Sequence, residues 1–125
     1  MLIWLLHKQK QRAKQMTLFT KAIETKLIDN HNKHKTAWND EHPTNIDSKV
    51  VCKLFNPTGL GTWYLTEYNP ETKTAFGLAV LHEKEFGYID IPELLEFKGL
   101  MGLGIERDLY FPMNKKTLEE CRKEK

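Results

Sequence analysis

"FGYIDIPELLEFKG", residues 86–99, contains a change of periodicity that sets the architecture of the whole chain. Tyr88 to Ile91 continue an extended strand. Asp90 then stands three residues before Glu93, the spacing of a capping box, and Pro92 falls in the first turn, where a missing N–H costs nothing. Leu94, Leu95 and Phe97 give a short helix one apolar side, and Gly99 follows where a helix stops on a left-handed residue. Asp90, Glu93 and Gly99 are therefore assigned structural work: they turn a strand into a helix and end it.

Working upstream, "VVCKLF" (50–55) has strand composition and "NPTGLG" (56–61) is a turn. "TWYLTEY" (62–68) alternates, which sends Trp63, Leu65 and Glu67 to one face. "NPETK" (69–73) turns the chain into "TAFGLAVLHE" (74–83), with Phe76, Leu78 and Val80 on one side and Ala75, Gly77 and Ala79 on the other. The small-residue side implies close approach by another backbone or a helix. Downstream, "ERDLYF" (106–111) supplies a last strand, and Thr117 with Glu120 repeats the box spacing ahead of a charged C-terminal helix. Near the start, Leu18, Phe19, Ala22, Ile23, Leu27 and Ile28 recur at helical spacing, which predicts a helix over 18–30 with Thr17 or Thr20 as N-cap. The expectation is one α+β domain over 16–118: a mostly antiparallel sheet of about four or five strands, an N-terminal helix, a short helix before the last strand and a C-terminal helix. Residues 30–49 are expected to be an internal linker and 119–125 a charged tail.

Composition narrows the function classes. With 125 residues, 29% charged and 40% hydrophobic, the chain can bury one core without metals or disulfides. The net charge is +2, but four of the 19 basic residues (Lys8, Lys10, Arg12, Lys14) fall in 1–15, which leaves 15 against 17 acids. The body thus lacks the basic surplus expected of a duplex binder. Cys52 and Cys121 have neither zinc-site spacing nor the density of a secreted scaffold, which points to a reducing cytoplasm. "MLIWLL" is six apolar residues, against the roughly 20 that span a bilayer, and its basic residues follow the apolar run rather than precede it. Residues 1–15 read as an upstream extension or disordered tail ahead of a start at Met16. The alternatives are a membrane-surface anchor and a docking helix carrying Leu2, Trp4 and Leu5.

Taken in order, "LFTKAIETKL", "LFNPTGLGTWYLTEYNPE", "FGLAV", "EFGYIDIPELLEFKG" and "GLGIERDLYF" make the region from Met16 to Leu118 resemble the bacterial family catalogued as domain of unknown function 2958. The resemblance implies a small protein of conjugative elements, plasmids or phages, in the company of antirestriction and DNA-processing genes. It implies no activity. Asp90 departs from the serine or threonine that is frequent at this cap in similar chains, and keeps the capping chemistry.

Candidate chemistry is sparse. Gly99, Gly102 and Gly104 are followed by neither Lys-Ser/Thr nor a helix, so a phosphate loop is not expected. Glu106 and Asp108 share a strand face and could hold a divalent ion, the only cofactor this reading admits; Arg107 points the other way. The structural alternative pairs Arg107 with Glu67 or Glu85. Glu67, on a face with Trp63, is either that partner or an acid–base group. Trp63, Tyr64, Tyr88 and Arg107 are the candidate binding residues, the aromatics as stacking platforms for unpaired bases. His31, His34 and His42 with Asp40 or Glu41 have the donors for a transition metal but lie in a polar linker. His82 could act as a base if Glu85 orients it. The leading expectation is a non-enzymatic binding module with a protein partner, nucleic acid being a second possible partner. The alternative is a small metal-dependent nuclease or hydrolase acting on single-stranded DNA through Glu67, Glu106 and Asp108.

Overall fold

The computed structural model describes residues 2–37 and 48–124. Two helices, α1 (Leu2–Leu18) and α2 (Lys21–Ala37), precede strands β1 (Cys52–Phe55), β2 (Thr62–Asn69), β3 (Thr74–Val80) and β4 (Lys84–Asp90). Helix α3 (Ile91–Glu96), a 3-10 turn (Leu100–Gly102), strand β5 (Glu106–Arg107) and helix α4 (Leu118–Lys123) follow. The five strands form one sheet in the order β4-β3-β2-β1-β5, with every pairing antiparallel.

The strand-to-helix switch forms at residue 90, with the N-cap half of the expected box. Asp90 is extended, and its carboxylate accepts from the Glu93 backbone N–H at 3.4 Å. Ile91, Leu94 and Leu95 of α3 are buried against the sheet. Gly99 does not end the helix in the left-handed region; its φ is −92°, and a Cβ there would come within 2.2 Å of Thr58 Oγ1. Close approach of two loops, rather than a positive φ, requires glycine at this position. The second box forms in full, with Thr117 and Glu120 satisfying each other's backbone N–H. The expected C-terminal helix is α4, and its Leu118 and Cys121 are buried.

Helices α1, α2 and α3 cover one face of the sheet. Leu18, Phe19, Leu27, Trp63, Leu65, Tyr68, Ile91 and Leu94 form the larger core there. Phe19 and Leu27 have no exposed surface, and each such side chain contributes about 1.5–3 kcal/mol by leaving water. On the other face Tyr64, Phe76 and Leu78 pack with Leu118 and Cys121, and Phe111 joins them. Gly77 explains the small-residue side of β3: a Cβ would fall 1.8 Å from the Tyr64 carbonyl oxygen.

Three further expectations change. Helix α2 starts at the expected cap, Thr20 accepting from Ile23 N–H, but it continues to Ala37, so its last two turns occupy the stretch expected to be linker. Residues 2–18 are helical rather than disordered: Arg12 makes a two-pronged pair with Glu24 (3.0 and 3.1 Å), Gln15 reaches Glu24 at 3.0 Å, and Gln11 reaches Glu96 at 2.9 Å. The last strand has only two residues, because Asp108 Oδ1 accepts from Tyr110 N–H and turns the chain away from β1.

Candidate functional site

Alternation in β2 fails at one point, and that decides the fate of Glu67. Leu65 pairs with Gly77 and Glu67 with Phe76, so Thr66 is an extra residue in a β-bulge. Thr66 is fully buried and its hydroxyl donates to the Phe76 carbonyl at 3.2 Å. Beyond the bulge Tyr68, not Glu67, continues the face begun by Trp63 and Leu65. Glu67 instead meets two histidines of α2. His34 Nδ1–H donates to Glu67 Oε2, and His31 Nδ1 lies 3.7 Å from Oε1. Asn30, on the same helix, donates to the Thr66 carbonyl at 2.9 Å and ties α2 to the bulge. The i, i+3 spacing of His31 and His34 was the available signal, and it is decisive only once the helix is known to run past residue 30.

Arg107 is not the partner of Glu67. Its Nη1 donates to the carbonyls of Thr17 (3.0 Å) and Leu18 (2.8 Å), the last carbonyls of α1. A cation there satisfies helix-end acceptors and faces the negative end of the helix dipole. Glu106 is exposed, while Asp108 Oδ2 lies 3.7 Å from Lys53 Nζ. Glu67 stands on β2 and Glu106 on β5, with β1 between them, so the two strands are about 10 Å apart. The three acids do not converge. Among the described residues no group of three or more histidines, cysteines or acids is arranged to hold a metal ion.

The aromatic candidates separate by burial. Trp63 is in the core, and Tyr64 is buried edge-on to Phe111 with Lys53 over its ring. Tyr88 is the exposed one, at 72%, and rests edge-on against Phe76. His82 lies in the exposed turn between β3 and β4. His42, Asp40 and Glu41 lie outside the described residues. Burial pushes the Cys52 thiol up to about 12 and the Cys121 thiol up to about 11, so neither is a nucleophile at neutral pH.

At the far end of the β1–β2 hairpin the surface has a different character. The Thr58 hydroxyl accepts from Leu100 N–H at 3.2 Å, and Gly99 N–H donates to the Leu103 carbonyl at 2.7 Å. The first bond docks the loop of residues 97–104 on the hairpin turn, and the second closes that loop on itself. Leu60, Phe97, Leu100, Met101 and Leu103 are all exposed along this rim, Met101 at 90%. An open cleft of about 570 Å³ runs beside it, lined by Lys53, Phe55, Asn56, Leu60, Thr62 and Asp108. Met101 has φ 60° and ψ 22°, a left-handed conformation that favours glycine or asparagine.

A family model described as "Protein of unknown function (DUF2958)" matches residues 18–120. The chain belongs to that family. The matched span runs from the last residue of α1 through the first half of α4, and so takes in the whole sheet, the bulge and the apolar rim. No curated protein and no solved structure matches the chain.

Proposed function

We propose that the protein is a non-enzymatic binding module of the cytoplasm that docks a protein partner on the rim formed by Leu60, Phe97, Leu100, Met101 and Leu103. It would be an accessory factor of a mobile genetic element that engages host machinery. Met101 is the observation that carries this reading. Solvent exposure favours a polar side chain at the tip of this loop, and a left-handed backbone favours glycine or asparagine. Methionine satisfies neither preference, and non-glycine residues in this conformation cluster where the local cost serves binding. Methionine is also the apolar side chain best able to adapt to a partner surface. Glu67 stands apart from Glu106 and Asp108, with β1 between them, which supports binding over a three-acid hydrolase site.

The test pairs stability with capture. Met101→Gly removes the backbone cost and should raise the melting temperature by a few degrees, about 1 kcal/mol. Partner capture from host lysate should fall for the same variant, and for Leu60→Asp, by tenfold or more, with the loss reproduced on the purified partner. Capture indifferent to both variants, or single-stranded DNA bound as tightly by the variants as by the native chain, would reject the reading.

A further inference from the structure

Helix α1 presents a second surface that the rim does not use. Leu2, Ile3, Trp4, Leu5 and Leu6 are exposed by 48–83%, and they surround the first turn rather than forming one face. Four residues of rise carry that apolar tip through about 6 Å. Lys8, Lys10 and Lys14 follow, and no acid occurs among residues 2–23. Ile3, Leu6, Lys10 and Lys14 stand at i+3, i+4 and i+4 spacing, so one ridge is apolar at its start and cationic beyond it. The opposite side of the helix faces the body, where Gln11 and His7 meet Glu96, Arg12 meets Glu24 and Gln15 is buried. The acids near α1 are thus turned away from the ridge. Lys8 Nζ lies 4.1 Å from the Trp4 ring centroid, which places an indole and an ammonium at one level.

We infer that α1 is a peripheral anchor for an anionic lipid bilayer, its first turn entering the headgroup boundary while Lys10 and Lys14 of the ridge meet lipid phosphates. The match in depth is direct: interfacial helices bury apolar surface about 5–10 Å into that boundary, and indole rings prefer the same level. Charge supplies the choice of occupant. A second copy of this helix would set lysines against lysines, whereas an anionic bilayer complements them. No helix among the described residues is long and apolar enough to cross a membrane, so the association is superficial and reversible. Residues 2–17 lie outside the family match, so the anchor is an addition to the shared domain rather than part of it.

Sedimentation of the full chain with phosphatidylcholine vesicles, with and without phosphatidylglycerol, tests this. Binding should require phosphatidylglycerol and weaken with salt. Each lysine near an anionic surface is worth about fivefold in affinity, so Lys10→Gln with Lys14→Gln should lower it about 25-fold. Leu2→Asp with Leu6→Asp should abolish it without moving the melting temperature, because both side chains are exposed. Vesicle binding unaffected by either pair, or absent altogether, overturns the inference. So does lipid-free self-association that the leucine pair removes, or single-stranded DNA binding that needs the lysines but not the leucines.

Discussion

Arg107→Met removes the guanidinium from the end of α1 and keeps an unbranched stem in its place. Two hydrogen bonds, to the Thr17 and Leu18 carbonyls at 3.0 and 2.8 Å, are lost. A guanidinium bond to a carbonyl contributes about 1 kcal/mol when the donor is partly in water. The C-terminal dipole adds about 0.5 kcal/mol, which brings the expected loss to about 2.5 kcal/mol. For a chain of this size 1 kcal/mol corresponds to about 4 °C, so thermal unfolding should shift down by about 10 °C. Arg107→Lys, which keeps a charge, should recover part of it. Hydrogen exchange should show the loss in the amides of α1, not in those of β2. The competing account, an Arg107–Glu67 ion pair, makes a different claim for the double variant with Glu67→Gln. Side chains on strands about 10 Å apart should give additive effects, and a coupling above about 1 kcal/mol would refute the capping role. A shift under about 3 °C for Arg107→Met would do the same.

Gly77→Ala places a Cβ 1.8 Å from the Tyr64 carbonyl oxygen and forces β2 and β3 apart, so a loss of about 3 kcal/mol or more, or failure to fold, is expected by chemical denaturation. Asp90→Ala removes the N-cap of α3 and should cost about 1 kcal/mol, with Asp90→Ser restoring most of it; equal melting of all three chains would discount the cap. Stability should fall as pH rises from about 9 to about 12, because the unfolded chain releases the Cys52 proton near the ordinary value of 9.0 while burial holds it in the folded state up to about 12. The slope is up to about 1.4 kcal/mol per pH unit from this thiol, and Cys52→Ala should flatten it. Neither cysteine should react with maleimide at neutral pH until the chain is unfolded, which a labelling time course in denaturant would check.

Local chemistry alone determined the elements whose ends are marked within a few residues. The Asp90–Glu93 spacing, the Thr117–Glu120 box, the Thr20 cap and the alternation of β3 are each interactions between near neighbours in sequence, so one sequence suffices to read them. Family membership was legible for the same reason, as an ordered series of such stretches. Tertiary structure decided the roles of the charged residues. Alternation alone aimed Glu67 at the core beside Trp63. The extra residue at Thr66 gave that place to Tyr68, and a bulge depends on pairing between strands. Arg107 found the end of a helix 90 residues away rather than a nearby acid. A carboxylate or guanidinium takes whichever partner the packed layers bring within about 3 Å, and sequence spacing does not record that distance. Met101 shows the same division: three glycines marked a turn, but only the folded loop revealed a methionine held left-handed and exposed at its tip.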